Sequence, residues 1–124
     1  MYDRFDSSFT GYLPTAKVAR ILAAADAVVL PFLHGSGEWN TSVSAAQIQG
    51  TSVLTTSKDK SGYDRASNTY FASPQDIDGM RNALKKHLGT RIAPNDLAAP
   101  KWIEIRRAHE TFCRSIIRAR KIYV

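Results

Sequence analysis

A single cysteine, Cys113, in a chain of 124 residues excludes an internal disulfide and any zinc cluster built on several thiolates. A lone thiol fits a reducing compartment, and within a helix it reads as a small hydrophobe rather than a reactive group. No apolar run approaches the roughly 20 residues a membrane-crossing helix needs, and the opening MYDRFDSS has no apolar core of a secretion signal. The expected compartment is the cytoplasm. Neither G-x-G-x-x-G nor a Walker loop occurs, so nucleotide binding by those routes is not indicated. The aromatic-and-basic strand pattern of an RNA-recognition motif is missing too, which disfavours nucleic acid as a partner. There is no internal repeat and no low-complexity tract. What remains, 44% hydrophobic, suffices for one domain with a core and leaves no room for two.

The informative stretch runs over residues 26 to 56. Residues 27 to 32, AVVLPF, are apolar without alternation, as in a central parallel strand covered on both faces, and Pro31 limits pairing near its end. Residues 34 to 40 form a Gly/Ser-rich loop, and Asn40 is a good N-cap for a small-residue helix that begins at Thr41 and is closed by Gly50. Residues 52 to 56 are a second, β-branched strand. This is a βαβ unit. A helix that starts at the carboxyl end of a parallel strand presents unpaired amides and the positive end of its dipole where open α/β sheets hold ligands. The expected ligand is a phosphate or diphosphate, held by the backbone amides of Thr41, Ser42 and Val43, with Glu38 and Asn40 beside them. His34 is a candidate general base, although a solvated loop histidine is the simpler reading because the sequence places no carboxylate near it. Trp39 suits either stacking on a base or sugar ring or covering the sheet end.

Elsewhere, residues 9 to 12 form a short strand candidate and Pro14 opens a helix whose Val18, Ile21, Leu22 and Ala25 make a stripe facing a sheet. Residues 57 to 68 read as a polar loop; Asp59 and Asp64 within it have no histidine or third carboxylate for a metal, and none is expected. A strand over residues 69 to 72 leads to a helix with Ser73 as N-cap, Pro74 in the first position, a buried stripe of Ile77, Met80, Leu84 and Leu88, and Gly89 as its stop. Residues 91 to 100 have linker composition. A long helix then follows over residues 101 to 123, within a C-terminal segment of residues 101 to 124. There Lys101, Arg106, Arg107, Arg114, Arg118, Arg120 and Lys121 against Glu104 and Glu110 give +5 of the chain's +6. Such a helix can lie on an anionic membrane or on nucleic acid. Packing is the stronger expectation: Trp102, Ile105, Phe112 and Ile116 dock on the domain, and Arg106, Arg107, Arg114 and Arg118 stay in solvent.

From about Phe9 to His87 the order of features resembles the donor-binding domain of retaining GT-B fold glycosyltransferases. In the similar branch the loop runs G-x-S-E-x-x-G-S-L-x-A-A-x-x-x-G, and here Gly35, Ser36, Gly37, Glu38, Trp39, Asn40, Thr41, Ser42, Val43, Ser44, Ala45, Ala46 and Gly50 stand along it. The more common family pattern has two glutamates eight positions apart; Glu38 lies near the place of the first, and the second, a ribose ligand, falls on Ala45. The resemblance implies a nucleotide sugar as donor substrate, no further cofactor, and an N-terminal acceptor domain as partner. In the resembled enzymes the first strands of the donor domain carry an Arg and Lys pair that neutralises the leaving diphosphate, and neither those strands nor the acceptor domain is expected among these residues.

The expected fold is thus α/β, a parallel sheet of about four strands with flanking helices and a basic C-terminal helix. Residues 1 to 90 would be part of a nucleotide-sugar-binding domain. The expected function is the donor-binding part of a glycosyltransferase, inactive as this chain alone and representing a truncated reading frame, a fragment or half of a split enzyme. The alternative is a non-catalytic interaction module that uses the 101 to 121 helix against a membrane surface, nucleic acid or a protein, peripheral to the membrane in the first case.

Overall fold

The structure, a computed structural model, describes residues 6–37, 40–95 and 99–120, apart from the side chains at 99, 101, 119 and 120. The fold is α/β. In chain order it runs α1 (Thr15–Ala24), β1 (Val28–Leu30), α2 (Thr41–Ile48), β2 (Val53–Thr56), β3 (Gly62–Asp64), β4 (Thr69–Ala72), α3 (Ile77–His87) and α4 (Ala99–Arg120). The four strands form one mixed sheet in the order β1-β2-β4-β3. β1 pairs parallel with β2, β2 parallel with β4, and β3 antiparallel with β4.

β2 is the central strand. All four of its residues are buried, whereas β1 lies at the edge of the sheet with Val29 44% exposed. The apolar run at residues 27 to 32 therefore reads correctly as a parallel strand and wrongly as a central one, since only β2 flanks it among the described residues. Alternation along β4 sets the layers. Thr69 accepts a hydrogen bond from Gln47 of α2, so the Thr69 and Phe71 face lies under α2. Tyr70 points the other way, toward His87 of α3. The core between these layers is small: Val43, Ala46, Val53, Leu54, Phe71, Ala72 and Ala83, interleaved with buried threonines. Each of these threonines donates to a carbonyl, Thr51 to Leu22, Thr55 to Leu30, Thr56 to Phe32 and Thr69 to Ser67.

Several sequence expectations change. Residues 9 to 12 form no strand; Phe9 and Tyr12 are almost wholly exposed and find no pairing partner among the described residues. The α1 stripe is not buried: Val18 and Ile21 stand 39% and 49% exposed, because α1 packs chiefly on α2 rather than on the sheet. The polar loop at residues 57 to 68 contains β3. Chain leaving β2 crosses the carboxyl end of β4, descends as β3 and turns at residues 65 to 68, where the Asp64 carboxylate holds the Ala66 amide and the Ser67 hydroxyl. The N-cap of α3 is Asp76, whose side chain accepts from the Gly79 amide, and not Ser73. That shift places Ile77 in the first turn and Leu88 at the C-cap, both largely exposed, and leaves Ala83 as the buried residue of α3.

The stretch expected as a linker is fastened to the domain. Arg91 bridges Thr51, Ile92 N donates to Gly50 O, and Asn95 N donates to Ile48 O. The Arg91 guanidinium also donates to the Ala23 and Ala25 carbonyls, so it closes the C-terminus of α1 with the charge its dipole favours. The long basic helix forms as α4, yet its stripe does not dock as expected. Trp102 is 47% and Phe112 62% exposed, with Ile105, Cys113 and Ile116 half-buried. Among the described residues, no helix is long and apolar enough to cross a membrane.

Candidate functional site

Parallel pairing of β1 and β2 brings the two carboxyl ends together, and the chain segments leaving them meet over the sheet end. The turn after β1 is pinned there: Ser36 donates to Thr56 O through both its amide, at 2.7 Å, and its hydroxyl, at 2.8 Å. After β2, the buried Ser57 hydroxyl accepts from the amides of Asp59 and Lys60, which curls residues 57 to 60 back toward the same place. Lys60 then reaches across β4, its Nζ lying 5.3 Å from the centre of the Phe71 ring. The third wall is the Asn40, Val43, Ser44 and Gln47 face of α2, residues at helical spacing.

These walls bound a cleft of about 510 Å³, counting the space that opens to solvent, lined by Ser36, Gly37, Asn40, Val43, Ser44, Gln47, Ser57, Asp59, Lys60 and Phe71. Its floor is the buried Phe71 ring; its rim is polar. Lys60 is the cation in that lining and Asp59 the anion, and both are exposed. The chain matches no family model, no curated protein and no solved structure. The cleft must therefore be read from its own chemistry.

Of the residues singled out by sequence, Asn40 and Val43 line the cleft, Thr41 and Ser42 are exposed at the helix start outside its lining, and Glu38 lies outside the described residues, as does Trp39. Asn40 caps α2 as expected, its Oδ1 accepting from Val43 N at 3.0 Å. That bond has a consequence for ligand binding. The Val43 amide is occupied by the cap and the Ser44 amide by Asn40 O, so the helix start offers the amides of Thr41 and Ser42 rather than those of Thr41, Ser42 and Val43. Ala45 is exposed and not part of the lining, and His34 is exposed in the turn before Gly35, also outside it.

Sequence reasoning missed Lys60, Ser57, Gln47 and Phe71. One signal pointed to them: in a βαβ unit the residues just after the second strand end beside the loop after the first. Asp59 and Asp64, weighed together as metal ligands, lie at opposite ends of β3, and the Asp64 carboxylate is engaged in the β3–β4 turn.

Proposed function

We propose that the cleft takes the diphosphate of a nucleotide sugar, and that the chain is the donor-binding part of a glycosyltransferase of the retaining GT-B kind. The observation that carries this reading is the placement of the cleft at the joined carboxyl ends of β1 and β2, with the capped start of α2 on one side and Lys60 on the other. Phosphate oxygens would lie against the Lys60 ammonium and the Ser44 hydroxyl, with the Thr41 and Ser42 amides at the helix start beside the lining. The Phe71 ring and the aliphatic stem of Lys60 offer a flat apolar floor for a base or a sugar face. The four-stranded sheet would then be the part of a Rossmann-like donor domain that carries the diphosphate site. The single cysteine fits action in the cytoplasm.

Binding should be weak. Ala45 stands where the family's ribose carboxylate is expected, and Asp59 in the lining opposes a polyanion. A titration of the chain with uridine diphosphate, guanosine diphosphate and pyrophosphate, followed by amide NMR, tests the reading. Shifts are expected at Ser36, Gly37, Thr41, Ser42 and Lys60, and Lys60→Ala should weaken binding on the order of ten-fold, the worth of one charge-assisted contact. Peaks moving only along α4 would refute this assignment.

A further inference from the structure

α4 spans 22 residues, about 33 Å at helical rise. Its apolar residues are exposed well beyond what a packed helix shows: Phe112 is 62%, Ile117 48% and Ile103 44% open to solvent. At about 100° per residue, Phe112, Ile105, Ile116, Cys113, Ile117 and Ile103 spread over about half the circumference. Directly beside them, Arg114, Arg107 and Arg118 fall within about 40° of one another, and all three are exposed. Within the apolar half, Arg106 is paired with Glu110 at 3.7 Å, and His109 and the position of Arg120 share that half.

The width of the apolar arc decides among occupants. A second copy of the helix would bury a seam narrower than this arc, so Ile103 and Ile117 would stay in water and the arginine rows of two copies would be drawn together. Nucleic acid would satisfy the arginines and leave Phe112 and Ile117 uncovered. A planar surface that is apolar below and anionic above satisfies both sets of residues. We propose that α4 lies flat on an anionic phospholipid bilayer, with Phe112, Ile117 and Ile103 at the acyl boundary and Arg107, Arg114 and Arg118 on headgroup phosphates. Arg106 keeps its guanidinium at the headgroup level by extending its stem. This inference is independent of what the cleft binds.

The test is co-sedimentation of the whole chain with vesicles of phosphatidylcholine alone and of phosphatidylcholine mixed with phosphatidylglycerol. Binding is expected only to the mixed vesicles, weakening as salt is raised. Replacing Arg107, Arg114 and Arg118 together by Ala should lower partitioning on the order of a hundred-fold, since each basic side chain near the surface contributes a factor of about five and the factors multiply. Phe112→Ser should lower it roughly ten-fold or more. Alkylation of Cys113, within the apolar arc, should slow when the mixed vesicles are added. The proposal falls if the chain ignores mixed vesicles, binds neutral ones equally well, or keeps its affinity in the triple variant. It falls equally if Cys113 is protected by self-association without lipid, or if Phe112→Ser leaves binding intact, the mark of a charge-only surface such as one for nucleic acid.

Discussion

Gly50 hands the chain from α2 to β2 with φ +72°, and a Cβ placed on it would stand 2.1 Å from the Ile92 carbonyl oxygen. Two constraints coincide there: a left-handed backbone, and a close approach by the strand-like segment that Ile92 N anchors back on Gly50 O. Gly89 separates them, since its φ is +79° but nothing lies within 4 Å of its added Cβ. Gly89→Ala should therefore cost only the backbone strain, about 1 kcal/mol, whereas Gly50→Ala should cost on the order of 3 kcal/mol as residues 91 and 92 are pushed away. Urea unfolding measures both; equal midpoints for the two variants would mean that the contact with Ile92 gives way freely. Next to Gly50 in space, the fully buried Asn68 adopts φ 50°, which asparagine tolerates better than most residues. Its carboxamide donates to Gly50 O and Thr90 O and accepts from the Tyr63 hydroxyl, tying β3, the start of β2 and the end of α3 into one polar knot.

At the scale of elements, α3 is held on the β3–β4 hairpin by His87, whose ring stacks on Tyr63 at 4.0 Å and 13°. Burial, and then the charge of the adjacent Lys86, hold the His87 pKa below its ordinary 6.5. The folded state thus takes up this proton later than the unfolded state as pH falls. Stability should be intact above about pH 6.5, decline as pH drops through that value, and level off once the folded pKa is passed. Urea midpoints at about pH 8 and pH 5 should differ in that sense, and His87→Phe, which keeps the stack and removes the proton site, should flatten the difference. Legibility also varied by element. α2 and β4 could be read to the residue because each has an unambiguous signal, the Asn40 cap and a β-branched and aromatic run over Thr69–Ala72. β3 was hidden because Gly62, Tyr63 and Asp64 show no periodicity and gain their strand from pairing with β4. For α3, Ser73-Pro74 and Asp76 compete as start signals, and Asp76 prevails by bonding Gly79. The cleft was half legible: its α2 wall follows from the loop pattern, whereas for Lys60 the βαβ unit indicates only the neighbourhood, and its reach over Phe71 depends on β4 lying next to β2.

For the molecule as a whole, the formal charge of +6 is distributed so that little of it serves the cleft. Within the lining, the positive charge of Lys60 is offset by Asp59, and both are exposed, so water screens whatever field they make. Glycosyl transfer builds negative charge on a departing nucleoside diphosphate, and catalysis of that step depends on fixed cations in a water-excluded site. It also depends on an acceptor hydroxyl held against the sugar, which contributes about 7 to 11 kcal/mol when the geometry is right. The described residues supply one exposed lysine and an open rim. On the proposed reading of the cleft, these 124 residues should bind a nucleotide sugar without turning it over. With a nucleoside diphosphate at about ten times its dissociation constant, the unfolding free energy should rise by about 1.4 kcal/mol through mass action alone. In the same solution, release of free diphosphate from the nucleotide sugar should not exceed the rate in buffer, with or without an acceptor present. Stabilisation together with turnover would overturn the proposal that this chain binds the donor without transferring its sugar.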